Sequence, residues 1–167
     1  HVFSPSVLYN ADSTRYEMWF AGIGNFDIPP AQYGFAVSPD GVHWTIHGTP
    51  VMSPTAATWD SQNLDVVTVI RENHSYKMWY TATNDAAGVS NFQIGYAESS
   101  DGISWTHYGS PVLPKGSSSD WDGDGVSGAM VIKDGGIYKM WYTGYNSTWY
   151  DILPGIGYAT STNGTSW

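Results

Sequence analysis

The sequence predicts an all-β fold in which one four-stranded antiparallel sheet recurs about three times, and three observations carry that prediction. The string Tyr76-Lys77-Met78-Trp79-Tyr80-Thr81 returns as Tyr138-Lys139-Met140-Trp141-Tyr142-Thr143, and both echo Tyr16-Glu17-Met18-Trp19-Phe20-Ala21. From Trp59 to Trp105 the chain aligns with Trp121 to Trp167 without a gap, at an offset of 62 residues. The segments between turns are short, rich in Val, Ile, Tyr, Trp and Thr, and bounded by Gly, Asn, Asp and Pro; none carries a sustained helical apolar period. Self-similarity at a fixed period marks a repeat architecture.

Each unit reads as four strands. In the first they run Ser6 to Tyr9, Tyr16 to Ala21, Tyr33 to Val37 and Trp44 to Val51. In the second they run Asp65 to Ile70, Tyr76 to Ala82, Gln93 to Glu98 and Trp105 to Val112. The third has Ala129 to Ile132, Tyr138 to Thr143 and Gly155 to Ala159, and the sequence stops at Trp167 where the outer strand should begin. The second strand is apolar on both faces, with Tyr76, Met78 and Tyr80 pointing one way and Trp79 the other. A sheet with one wet face does not need that. Each sheet is therefore expected between two neighbours, which is the arrangement of propeller blades; a β-sandwich would not require a near-identical sequence every 62 residues. The expected organisation is one propeller-type domain over 1–167, with blades at about 1–58, 59–120 and 121–167.

The third and fourth strands are joined by Ser38-Pro39-Asp40-Gly41, Ser99-Ser100-Asp101-Gly102 and Ser161-Thr162-Asn163-Gly164, each followed by a tryptophan at 44, 105 or 167. Asp-Gly and Asn-Gly tolerate the positive φ of tight hairpins. The first-to-second connections, Arg71 to Ser75 and Lys133 to Ile137, are also short. The second-to-third connections, Ile23 to Gln32, Thr83 to Phe92 and Tyr145 to Pro154, are long and differ between copies. In an up-and-down sheet these long loops share one face with the blade-to-blade connections, and that face is where function is expected.

Composition excludes several classes. A net charge of −9 with only six Lys and Arg argues against nucleic acid and anionic membranes, because neutralising phosphates requires clustered basic side chains. With no cysteine there is neither a disulfide frame nor a thiolate metal site. The histidines make no paired metal spacing, and His47 and His107, on outer strands, are expected at the surface. Eight of the nine tryptophans fall at repeat positions and read as packing. Trp149 does not. With Tyr150 and the nearby Tyr145 it forms an aromatic cluster suited to stacking on the C–H faces of a sugar ring, or else to packing against a neighbour.

Asp120-Trp121-Asp122-Gly123-Asp124-Gly125 has the spacing of a calcium loop. An EF-hand fails, because its twelfth place is Val131 rather than Glu. A looser Ca²⁺ site on Asp120, Asp122 and Asp124 is one expectation, and solvated turn carboxylates are the other.

The string Tyr-Lys-Met-Trp-Tyr-Thr, then Ile-Gly-Tyr-Ala, then Ser-x-Asp-Gly-x-x-Trp, then Pro-Val at Pro50-Val51 and Pro111-Val112, resembles the blades of five-bladed propeller glycosidases. These are of the arabinanase, levansucrase and invertase type, glycoside hydrolase family 43 among them. The resemblance implies action on, or binding of, a polysaccharide at the long-loop face and an extracellular or periplasmic setting. It also implies catalytic carboxylates at the axial ends of the first strands. Asp65 opens such a strand, but its repeat mate is Ser127, and the first unit offers only His1-Val2-Phe3-Ser4. The set is incomplete, and activity is left open. Cleavage by two carboxylates needs a second partner, for which Asp122 and Asp124 are the candidates. Asp122 has a competing reading as a loop tie, because Trp121-Asp122 repeats Trp59-Asp60. The alternative function is a non-catalytic carbohydrate-binding or structural unit. Three blades do not close a ring, so the outer flanks are expected to meet further blades, from copies of this chain as a dimer or from a longer protein.

Overall fold

The computed structural model describes residues 1–23, 30–85, 90–146 and 154–167, and among them there is no helix. Blade 1 consists of β1 (Val2–Asn10), β2 (Arg15–Gly22), β3 (Gln32–Ser38) and β4 (Thr45–Ile46), antiparallel and in chain order. Blade 2 repeats this with β5 (Asn63–Glu72), β6 (Ser75–Thr83), β7 (Gln93–Ser99) and β8 (Thr106–His107). Blade 3 has β9 (Gly125–Asp134), β10 (Ile137–Tyr145) and β11 (Gly155–Ser161). The chain is thus a partial β-propeller of two complete blades and a third without its outer strand.

Two local features depart from the expected strands. The outer strands are not continuous over Trp44–Val51 and Trp105–Val112: β4 and β8 pair for two residues each, and pairing resumes only at Met52 and Leu113. The interruptions are Gly48-Thr49-Pro50 and Gly109-Ser110-Pro111, where proline has no N–H to donate to the ladder. The inner strands β1 and β5 start earlier than expected, because each continues through a β-bulge, between Phe3 and Ser6 and between Leu64 and Val67. β9 carries the same bulge opposite Tyr142. Ser4 (φ 51) and Gly128 (φ 64) take left-handed backbone at matching positions within it. A bulge of this kind bends the strand and re-aims its side chains.

The core lies between blades rather than within one. Trp19, Tyr33 and Phe35 of blade 1 pack against Val67, Tyr76, Met78 and Tyr80 of blade 2. Trp79, Ile94 and Tyr96 of blade 2 repeat the contact with Val131, Tyr138 and Met140 of blade 3. The two-sided apolar β2, β6 and β10 strands are what make this stacking possible.

Each junction is locked by one hydrogen bond. The Ser99 hydroxyl accepts from the N–H groups of Asp101 and Gly102, and Asp101 Oδ1 accepts from Ile103 and Ser104, which shapes the turn so that Gly102 presents its carbonyl outward. Trp19 Nε1 of the preceding blade donates to that carbonyl at 2.7 Å. Trp79 Nε1 donates to Gly164 O at 2.8 Å from the equivalent place. Glycine is required at both turns twice over: φ is +77 and +83, and a Cβ at either would sit 2.9 Å from the incoming indole.

Polar ties supplement the locks. Tyr76 OH donates to Glu17 Oε2 at 2.7 Å, and Tyr138 OH donates to Glu72 Oε2 across the next junction. Hydrogen bonds from Lys133 and Tyr138 hold Glu72 down at about 2 despite its partial burial. Around the axis, Ser6 Oγ accepts from Val69 N, and Thr68 Oγ1 donates to Ala129 O.

Trp79→Ala removes a fully buried indole and its lock together, so it is expected to cost about 3–5 kcal/mol in urea unfolding. Trp79→Phe keeps most of the packing and should cost only about 1 kcal/mol, the net worth of one such bond.

Candidate functional site

Asp65 sits in the β5 bulge, at the end of the inner strand that faces the long loops. By strand register its counterparts are Phe3 in blade 1 and Ser127 in blade 3. The half-buried side chain lines a cavity of about 180 Å³ with Phe3, Ile23, Ala31, Asn63 and Phe92. Among the described residues no hydrogen bond or ion pair holds its carboxyl, and burial pushes its pKa above the ordinary carboxylate value. Tyr33 lies beneath, its hydroxyl 3.4 Å from Val66 O, and burial followed by the Asp65 charge raises its pKa well above the usual. The result is an unpartnered carboxyl with a raised proton affinity, open to a ligand.

The walls are built by sewing each long loop to the next blade. Ala31 N donates to Asn63 Oδ1 at 3.0 Å, and Leu64 N donates to Ala31 O. The same stitch recurs one blade on, where Asn91 N donates to Asp124 O and Val126 N to Phe92 O. Phe92 therefore both lines the Asp65 cavity and belongs to the segment that meets Asp124.

Asp124 is tied through its backbone, its N–H donating to Tyr145 O. Tyr145 packs over Gly125, where a Cβ would fall 2.3 Å from the phenol oxygen. Its pKa is pushed up to about 12, by burial first and then by the charges of Asp124 and Asp85. Asp124 and Tyr145 are thus neighbours at the start of blade 3. Trp149 and Tyr150 lie outside the described residues.

Asp122 takes the place that Asp60 holds one blade earlier. Asp60 is buried and accepts from Tyr80 OH at 3.0 Å and from Thr58 Oγ1, with His107 Nδ1 at 3.5 Å. Burial works against its charge, but hydrogen bonds from His107, Thr58 and Tyr80 outweigh that and hold its pKa below the ordinary value. Trp59 stacks on Tyr80 at 5.8 Å, and Trp121 on Tyr142 at 5.9 Å. Asp122 raises the Tyr142 pKa through its charge, second to burial. His107, expected at the surface, is instead half-buried against this tie, because β8 lies close to the Trp59-Asp60 loop.

Asp120 accepts from Ser117 N at 2.8 Å and from the Ser117 hydroxyl, which lowers its pKa. Among the described residues no group of three acidic or histidine side chains could hold a metal ion, so Asp120, Asp122 and Asp124 do not make one. The lining residues Phe3, Ile23, Asn63 and Phe92 were not singled out from sequence. Of these only Phe3 carried a signal, as the residue in register with Asp65.

The solved structures agree on the propeller fold. The chain superimposes with a TM-score of 0.81 on a family 117 glycoside hydrolase produced by the marine bacterium Zobellia galactanivorans, at 19% identity over 96% of this chain and 52% of that one. A sucrose-6-phosphate hydrolase from Lactobacillus gasseri gives 0.80 at 14% identity, over 99% of this chain and 33% of that one. No family model matches the chain. In sequence it is 29% identical over 123 residues to a 1,2-beta-oligomannan phosphorylase of Thermoanaerobacter sp., covering 71% of this chain and 40% of that protein. It is 30% identical over 128 residues to an uncharacterized protein of Mycobacterium tuberculosis, covering 73% and 42%. The chain spans less than half the length of these curated relatives.

Two acid responses of opposite sign follow. Asp60, with its pKa lowered on folding, contributes stability above its unfolded value of 3.8 and loses it as pH falls through the folded pKa. Asp60→Asn should therefore cost about 2 kcal/mol at neutral pH and progressively less below pH 4 in thermal melts. Asp65, with its pKa raised, opposes folding when ionised. Asp65→Asn should raise the melting temperature at pH 7, and the gain should vanish on acidification towards 3.8.

Proposed function

We propose that this propeller unit takes a saccharide on its axial loop face, with Asp65 as the carboxyl beside the glycosidic bond. The observation that carries this is Asp65 itself: a carboxyl at the inner-strand end, without a partner among the described residues, walled by Phe3 and Phe92 and shifted towards holding a proton. Glycosidic cleavage needs one carboxyl kept protonated and one ionised. Asp124, one blade on, is the candidate for the second role, with Tyr145 and the Trp149-Tyr150 loop as the sugar-stacking surface. The similarity to an oligomannan phosphorylase supports a mannose-containing glycan and makes phosphate an alternative attacking group to water.

A second reading is favoured by Phe3 and Ser127, which stand where further carboxylates would complete the set. On that reading the unit binds glycan without cleaving it. For the open flanks, the same proposal takes the neighbouring blade from a copy of this chain or from the rest of a longer protein.

The test is a panel of β-1,2-mannooligosaccharides, arabinan, xylan, fructan and aryl glycosides, with and without inorganic phosphate, read by calorimetry and product release. Turnover by the wild type that falls at least about a hundredfold in Asp65→Asn, with binding retained, supports the catalytic role. Binding without turnover supports the second reading. No binding to any member of the panel sinks both.

A further inference from the structure

Asp65 shares its cavity with a second polar side chain, Asn63, and the fold fixes which end of that amide is left for a ligand. Asn63 stands two residues before Asp65 on β5, and both line the cavity of about 180 Å³ between blades 1 and 2. Ala31 N donates to Asn63 Oδ1 at 3.0 Å. Of the two ends of the amide only the oxygen accepts, so this bond assigns them. Leu64 N, donating to Ala31 O, holds the same loop end in place. Asn63 is half-buried, and among the described residues nothing accepts from its Nδ2, whose two N–H groups are free to donate into the cavity.

The next blade shows that the loop stitch does not itself require this side chain. There Val126 N donates to Phe92 O just as Leu64 N donates to Ala31 O. The repeat mate of Asn63 is Gly125, which has no side chain, and the Tyr145 phenol fills the space where its Cβ would stand. The mate of Asp65 is Ser127. Amide and carboxyl therefore occur together in blade 2 and are absent together from blade 3. A side chain that served only to join loop to blade would be needed in both.

We infer that Asn63 orients the saccharide at Asp65, its Nδ2 donating to the ring hydroxyl on the carbon next to the glycosidic oxygen. This rests on the reading that Asp65 stands beside the glycosidic bond. Side chains at alternate strand positions stand roughly 6–7 Å apart on one face. An amide donor, a ring hydroxyl, the oxygen on the adjacent carbon and a carboxyl fit that span in a row. Phe3 and Phe92 wall the ring without choosing its direction, so the amide decides which oxygen reaches Asp65.

The test is calorimetry with β-1,2-mannobiose and its monodeoxy and monodeoxyfluoro analogues. Fluorine can accept a hydrogen bond but cannot donate one. At one ring position the wild type should bind the fluoro analogue about threefold to tenfold more tightly than the deoxy analogue. Asn63→Asp keeps an oxygen for Ala31 N but replaces the donors by an acceptor, so the preference at that position should reverse. Asn63→Ala, which takes the residue towards Gly125 of blade 3, should lose the preference without reversing it. Asp65→Asn should keep it. Near-ultraviolet circular dichroism verifies that each variant folds, and the wild-type comparison needs no variant. A wild type that does not bind mannobiose overturns the mannoside reading, and this contact with it. Binding without a preference for fluorine at any position, or a preference that both Asn63 variants retain, overturns Asn63 as the donor and leaves the Asp65 reading standing.

Discussion

An indole N–H donating to a turn glycine's carbonyl, from one sheet to the next, is the contact on which the rest of this molecule depends. The four-stranded sheets have no thick core of their own, and two cores form only where β2 meets β6 and β6 meets β10. Dispersion and apolar burial drive those faces together without direction. The Trp19 and Trp79 bonds add direction, fixing how far each blade slides and turns against its neighbour. The serine and the aspartate or asparagine of each turn matter because their oxygens hold the turn's backbone N–H groups, so that the glycine carbonyl faces the incoming ring.

Fixing the blades also fixes the axis. With the inner strands joined through Ser6, Thr68 and Ala129, the bulges at their ends fall at equivalent places around it, and whichever side chain the bulge carries is aimed at the loop face. Blade 1 spends that position on Phe3 and blade 3 on Ser127; blade 2 holds Asp65 there. One architecture thus offers the same place three times, with a different side chain in each blade. The burial that makes Asp65 costly to ionise is also what raises its proton affinity, so the shifted carboxyl and the local instability have a single cause.

Much of this was legible from the chain alone. The period, the two-sided second strand and the turn signals pointed to three repeated antiparallel sheets, and Asp65 stood out as a carboxylate at an inner-strand start. The outer strands were overestimated, because Gly48-Thr49-Pro50 and Gly109-Ser110-Pro111 break the ladder between segments of good strand composition. His107 looked like a surface residue on an outer strand, since nothing in sequence indicates that β8 runs past Asp60. Asp122 had two readings, and the structure adds to the loop-tie one that Trp121 stacks on Tyr142 as Trp59 does on Tyr80.

By itself, then, the sequence determined which segments are strands, how they recur and where the chain must turn, because local periodicity and glycine tolerance are written residue by residue. Tertiary structure alone decided which carboxylates are tied and which is free. Asp60 and Asp65 lie five residues apart, yet one is buried beneath Tyr80 and His107 and the other opens on a cavity walled by Phe3 and Phe92. That difference depends on partners brought from other strands and from the neighbouring blade, and no local pattern encodes such distances.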